Sequence, residues 1–154
     1  MEAPKRIEPK GLADYLDVMS QAVFQSGMSW KVVEAKWPGT QEVFRGFDPK
    51  KLAVLSEPDI DAIASDTRII RNRRKIEAII GNGRRMLELE KGHGSFKNYL
   101  RSKGSFDELI KDLRKQFKFL GDMGAYRFLY VVGEDVPDYN TFCASHGIKA
   151  VADR

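Results

Sequence analysis

Apolar residues recur at Leu12, Tyr15, Leu16, Met19 and Val23, a helical spacing that predicts a first helix from about Gly11 to Gln25, stopped by Gly27. Ser29 is placed to cap a second, short helix whose Trp30, Val33 and Trp37 form an aromatic face and which Pro38-Gly39 should end. Thr40 caps a further turn or two through Phe44. In Gly46-Phe47-Asp48-Pro49, Asp48 is a natural N-cap and Pro49 suits the first helical position, with Leu52, Ala53 and Leu55 facing inward. Ser56-Glu57-Pro58-Asp59 restarts the chain as a helix carrying Ile60, Ile63 and Ala64.

The longest periodic segment runs from Ile69 to Lys91. Ile76, Ile79, Ile80, Gly83, Met86 and Leu87 form its apolar stripe and arginines cover the other side, so it should be the central helix. Gly92-His93-Gly94 ends it, Ser95 starts a short turn through Leu100, and Ser105-Phe106-Asp107-Glu108 reads as a capping box opening a helix with Leu109, Ile110 and Leu113. Nothing alternates over a strand's length. The fold class predicted is all-α, with many short helices and small connections.

The stretch from Phe117 to Gly133 organises the chain. A tight turn, Phe119-Leu120-Gly121-Asp122-Met123-Gly124, runs into a helix whose Ala125, Phe128, Leu129 and Val132 recur at helical spacing. Without a Cβ, Gly121 and Gly124 can take turn dihedrals and let another backbone or a phosphate approach. A helix opening after such a turn directs unpaired amides and the positive end of its dipole outward, which suits an anion. The alternative at this stage is an ordinary helical corner, with Asp122 as N-cap and Gly133 as C-cap.

Composition narrows the classes. A chain of 154 residues with 42% hydrophobic and 31% charged residues fits a single globular domain, 1–154, and is too apolar for disorder. No apolar run approaches the roughly 20 residues of a membrane span, and the charged MEAPKRIEPKG start is no secretory signal, so a cytoplasmic protein without membrane partners is expected. One cysteine, Cys143, and two histidines, His93 and His146, speak against a structural zinc site; no cofactor is expected. Net charge is only +4 but unevenly placed. From Arg68 to Arg85, seven basic residues face Glu77 alone, 7 − 1 = +6, so the remainder sums to −2. Such a local excess beside a phosphate-holding turn is what nucleic-acid binding requires electrostatically, although a solvated helix face carries the same signature.

Three stretches resemble the DNA-3-methyladenine glycosylase I family, in the helix-hairpin-helix superfamily of base-excision glycosylases. Gln25-Ser26-Gly27-Met28-Ser29-Trp30 is similar to the family's Q-A-G-L-S-W. Gly46-Phe47-Asp48-Pro49, then Ile69 to Ala78, then Ile80-Gly81-Asn82-Gly83-Arg84 are similar to F-D-P, I-I-R-N-R-x-K-I-x-A and I-x-N-A-R. Phe117-Lys118-Phe119-Leu120-Gly121 with Tyr126 and Phe128 is similar to F-K-F-V-G with Y-x-F. The resemblance covers about Leu12 to Tyr139. It implies a two-lobed helical fold whose hairpin, about residues 117–133, holds backbone phosphates of double-stranded DNA, most simply as a monomer. A nucleotide carrying an alkylated base is then rotated out of the duplex into a pocket between the lobes, since a stacked base's glycosidic bond cannot otherwise be reached. By this resemblance Trp30 stacks on the extruded base, Gln25 lies near it, and Met28 presses into the gap in the DNA. Arg71, Arg73, Lys118, Gly121, Met123 and Gly124 contact the strand. A core tryptophan packed on Trp37 is the alternative for Trp30.

The departures bear on chemistry. Eight residues before the tryptophan the family places a glutamate; here the position is Ala22. The family's zinc clasp is lost: its H-x-x-x-C falls on Tyr139-Asn140-Thr141-Phe142-Cys143, and nothing before Leu12 supplies the other half. The superfamily often places an aspartate after the hairpin's second helix, which makes Asp138 the replacement candidate, or else a helix N-cap. Two function classes follow: a monofunctional glycosylase hydrolysing the bond to an alkylated purine such as 3-methyladenine, or a catalytically degenerate protein that binds lesions without cutting.

Overall fold

A computed structural model describes residues 4–148, which form α-helices and a single 3-10 turn, with no strand among the described residues. The helices are α1 (Leu12–Gln25), α2 (Trp30–Val43), α3 (Pro49–Ala53), α4 (Glu57–Ala64), α5 (Arg73–His93), α6 (Phe96–Leu100), α7 (Phe106–Gln116), α8 (Asp122–Val131) and α9 (Tyr139–Ser145). The all-α expectation holds. None of these helices is long and apolar enough to cross a membrane.

Side-chain caps set most of the helix starts. Ser29, Asp48, Asn72, Ser95 and Ser105 each accept a hydrogen bond from a first-turn amide, and Ser56 forms a full capping box with Asp59. The box expected at Ser105 is only half made, because the Glu108 carboxylate reaches past it to the Gly104 amide at 2.9 Å.

Helix α5 is the central element, packed on α1, α3, α4 and α6, while α1 also crosses α8. Ile76, Ile79 and Met86 of α5 are fully buried, as are Leu16, Met19 and Val23 of α1. Gly83 permits the approach. A Cβ there would lie 3.2 Å from a Leu16 methyl and 3.5 Å from the Pro49 side chain.

Two boundaries differ from the sequence expectation. Pro38 does not end α2; it lies inside a helix that continues to Val43, and Thr40 is buried with its hydroxyl donating to the Lys36 carbonyl at 2.7 Å. An interior proline costs about 3 kcal/mol. Tertiary packing offsets it: Trp37 and Phe44 both stack on Phe47, with ring centroids 5.3 Å apart in each pair. Gly39 sits so close to Arg68 that a Cβ would come within 2.9 Å of that side chain. The central helix also begins later than its periodicity suggests, at Arg73, since Asn72 caps it and residues 69–72 run non-helically before it.

The segment before α1 closes the far end of α8. Arg6 donates to the carbonyls of Tyr130 at 2.7 Å and Glu134 at 2.5 Å, and the Ile7 amide to that of Val131 at 2.7 Å. A cation at a helix C-terminus complements the dipole and satisfies orphan carbonyls.

Candidate functional site

Trp30 opens α2, at the end of a tight loop from α1. Gly27 turns the chain at φ +76, the Met28 amide donates to the Gln25 carbonyl at 2.7 Å, and Gln25 Nε2 donates back to the Met28 carbonyl at 3.2 Å. From α5, the buried Lys75 donates its ammonium to the carbonyls of Phe24 at 3.0 Å and Ser26 at 2.5 Å. Burial pushes its pKa down, yet the cation sits where the α1 dipole ends negative. Lys75→Met should therefore leave both carbonyls unpaired and lower the unfolding free energy by about 2–3 kcal/mol, read from urea melts.

An open cleft of about 310 Å³ lies between α1 and α2, walled by Gln21, Trp30, Val33, Glu34, Trp37, Pro38 and Gln41. Trp30 is half-buried there, whereas Trp37 belongs to the core. From α8, the Arg127 guanidinium carbon stands 4.0 Å from the centre of the Trp30 ring. Arg127 Nη2 donates to Gln21 Oε1 at 2.9 Å, while its Nη1 is buried without an acceptor. Asp17 orders the polar side of the cleft: Oδ1 accepts from Trp37 Nε1 at 3.0 Å and Gln21 Nε2 at 2.9 Å, and Oδ2 from Gln41 Nε2 at 2.7 Å. Desolvation holds the Arg127 pKa down to about 10, with the Glu34 and Asp17 carboxylates opposing that shift, so it remains a cation at neutral pH. Glu34, exposed one helical turn after Trp30, walls the same cleft; its charge acts on Arg127, and it engages no hydrogen bond or ion pair among the described residues.

The hairpin is fastened to α5 by Asn82. This buried amide donates to the Lys118 carbonyl at 3.1 Å and accepts from the Lys118 amide at 2.8 Å, satisfying both polar groups of one backbone unit. The left-handed residue of the turn is Phe119, at φ +57, not a glycine. Gly121 is extended, at φ −89, and Gly124 lies within α8, so neither supplies the turn dihedral expected of it. Gly124 serves packing instead: a Cβ there would lie 3.2 Å from Leu120 and 3.4 Å from Ala22. The position where a family glutamate would stand is thus buried against the hairpin helix. Lys118 and Phe119 are exposed at the tip, Met123 is half-buried, and Gly121 leads into α8 without a side-chain cap. Asp122, at the start of α8, is paired with Arg114 at 3.0 Å and His146 at 3.1 Å, and His146 also reaches Asp107 at 3.0 Å. The Arg114 guanidinium offsets the negative charge that Asp122 brings to the turn.

The structure does not gather every expected residue at the cleft. Gln25 and Met28 shape the loop before Trp30 but do not wall it. Asp138 is exposed and caps α9, accepting from the Thr141 amide at 3.2 Å. Of the arginine-rich stretch, Arg73 is committed to Asp61, Glu57 and Glu77, Arg68 to Asp66 and Glu42, and Arg85 to Glu88. Arg71 and Arg74 are exposed and free of hydrogen bonds and ion pairs among the described residues. Carboxylates thus neutralise Arg68, Arg73 and Arg85, while Arg71, Arg74, Lys75 and Arg84 form no ion pair among the described residues. Among the described residues no group of three or more His, Cys, Asp or Glu side chains could hold a metal ion.

Comparison with known proteins gives consistent matches. Residues 13–111 match the methyladenine glycosylase family model. DNA-3-methyladenine glycosylase 1 of Escherichia coli (strain K12) is 33% identical over 130 residues, covering 71% of this chain and 70% of that protein. DNA-3-methyladenine glycosylase of Haemophilus influenzae (strain Rd) shows the same identity and coverage. The structure of 3-methyladenine DNA glycosylase I from Staphylococcus aureus superposes with a TM-score of 0.73 at 26% identity, over 82% of this chain and 79% of that one. A single-site variant of such an enzyme, solved in complex with 3-methyladenine, superposes with a TM-score of 0.71 at 26% identity, over 85% of this chain and 80% of that one.

Proposed function

Since the chain belongs to the methyladenine glycosylase family, we propose that it is a base-excision repair enzyme that hydrolyses the N-glycosidic bond of an alkylated purine, such as 3-methyladenine, in double-stranded DNA. The observation that carries this reading is the cleft itself: a half-buried indole at a helix start, with a free carboxylate one turn along and an apolar floor. A planar base everted from the duplex stacks on an indole, and the carboxylate then faces its sugar.

The chemistry suits a modest apparatus. A purine methylated at N3 or N7 carries positive charge, so when the bond from N9 to C1′ breaks the pair of electrons neutralises the ring and the base leaves uncharged. The sugar is left as an oxocarbenium-like ion that a carboxylate stabilises, and a water adds its oxygen to C1′ while giving up a proton. Glu34 is the carboxylate we assign to this step, with Ala22 excluded by its methyl and Asp138 engaged as the cap of α9. At the hairpin, the first-turn amides of α8 and the exposed Lys118 take the strand's phosphates, with Gly121, Met123 and Gly124 in that first turn and Arg71 free to reach the same backbone. Binding should weaken steeply with salt, the affinity falling by at least about tenfold between 50 and 200 mM if two or more phosphates are neutralised; fluorescence anisotropy on a labelled duplex reads this directly.

Ala22 favours a second reading, a protein of the same fold that binds lesions without cutting. Incubation with methylated duplex DNA separates the two. Free 3-methyladenine or 7-methylguanine in the supernatant supports the enzyme; lesion-selective binding with no base released supports the second reading.

A further inference from the structure

We propose that Arg127 is an internal competitor for the base site: in the free protein its guanidinium holds the indole face of Trp30, and a base that enters must displace it. This rests on the reading of Trp30 as the platform on which the base stacks: the guanidinium covers a face of that indole, and its partner Gln21 is a wall of the cleft. The guanidinium is flat, delocalised and cationic, as an N-methylated purine is, and it lies 4.0 Å from the ring centre, the separation of a stacked pair. What surrounds it is what would hold such a base: an indole face, the Gln21 carbonyl oxygen, and the Glu34 and Asp17 carboxylates close enough to act on it.

Arg127 is held, but incompletely. Its hydrogen bond runs to Gln21, a wall of the cleft, and Gln21 is turned to accept it because its amide is given to Asp17. Its Nη1 is buried with no acceptor, a condition that few buried donors in native proteins tolerate. Burial also depresses its pKa, a sign that the charge sits at a cost. An occupant bound by a favourable stack, one side-chain hydrogen bond and an unsatisfied donor is one that a better-fitting ligand can expel. The exchange is cheapest when a cation replaces a cation, since an uncharged base would leave Glu34 and Asp17 without their counter-charge. Arg127 thus adds a displacement cost that any everted base must meet, and lesion binding is weaker by that amount while the guanidinium is present.

The test uses the full chain and two duplexes, one undamaged and one bearing a non-hydrolysable 2′-fluoro-7-methylguanosine, with affinities measured by anisotropy. Replacing the guanidinium by a neutral chain of similar length, Arg127→Met, should tighten binding to the lesion duplex about tenfold relative to the undamaged one, and Arg127→Lys about threefold, since lysine lacks the planar stack. Near-native melting temperatures for the lysine variant exclude a folding defect as the cause. Lesion binding that is weakened or unchanged in both variants overturns the proposal, the first outcome making Arg127 a ligand of the base. If the wild-type chain itself fails to distinguish the duplexes, the base-site assignment falls, and this inference with it.

Discussion

Glu34→Gln should reduce the rate of base release by about 10²–10⁴-fold while leaving affinity for undamaged duplex within about twofold. The substitution keeps the shape of the side chain and removes its charge. Because Glu34 makes no hydrogen bond or ion pair within the described residues, the change costs the fold only its longer-range attraction to the Arg127 cation, and the melting temperature should stay close to the wild-type value. The loss falls on the step in which the sugar becomes positive: an amide opposite C1′ neither stabilises that charge nor takes a proton from the attacking water. Single-turnover release from methylated duplex is the measurement. Asp138→Asn is the companion: an asparagine oxygen caps α9 as well as a carboxylate does, so stability should change by no more than about 0.5 kcal/mol and the rate should stay near wild type. A rate abolished by Asp138→Asn and untouched by Glu34→Gln would transfer the chemistry to the start of α9.

Asn82→Leu should be the most destabilising polar substitution in the chain, by about 2–5 kcal/mol. Leucine matches asparagine in branching and is apolar, so the change adds no polar group of its own. What it removes are both hydrogen bonds to Lys118, leaving a part-buried N–H and C=O unpaired just before the left-handed Phe119. A non-glycine residue in that backbone region already stores roughly 1–2 kcal/mol, which the Asn82 clamp helps to hold. The hairpin should therefore loosen before the core does. Urea melts give the magnitude, and amide exchange should show residues 117–124 opening ahead of α5.

The helical periodicity of the chain and its capping residues foretell most of the fold. Ser29, Asp48 and Ser105 start helices where their side chains accept the expected amides, and α5 buries the stripe its spacing describes. The failures share one cause. Pro38 was a stop by local rules, and only the stacking of Trp37 on Phe47, ten residues on, keeps α2 running. The basic stretch looked like an exposed charge surface because the carboxylates that neutralise Arg73, on α4, are distant in sequence.

At the proposed site, the motif singles out Trp30, which the structure places on the wall of the cleft, and Glu34 could have been read as the carboxylate one helical turn beyond it. Arg127 could not. Its place over the indole depends on how α8 crosses α1 and on the Asp17-to-Gln21 relay that orients its acceptor, a long-range arrangement with no signature in local spacing. The turn role expected of the hairpin glycines falls to Phe119, and Gly124 is small in order to admit Ala22 and Leu120, not to bend the chain. Asn82 lay inside a matched motif without a role until its two bonds to Lys118 supplied one.

The reception of an everted base by Trp30 can be observed without any catalysis. The chain has two tryptophans, so in Trp37→Phe the emission belongs to Trp30 alone. Titration with a duplex bearing a non-hydrolysable 7-methylguanosine should quench that emission as the base stacks on the indole, and the undamaged duplex should leave it nearly unchanged. Equal emission with both duplexes, at saturating DNA, would contradict the account.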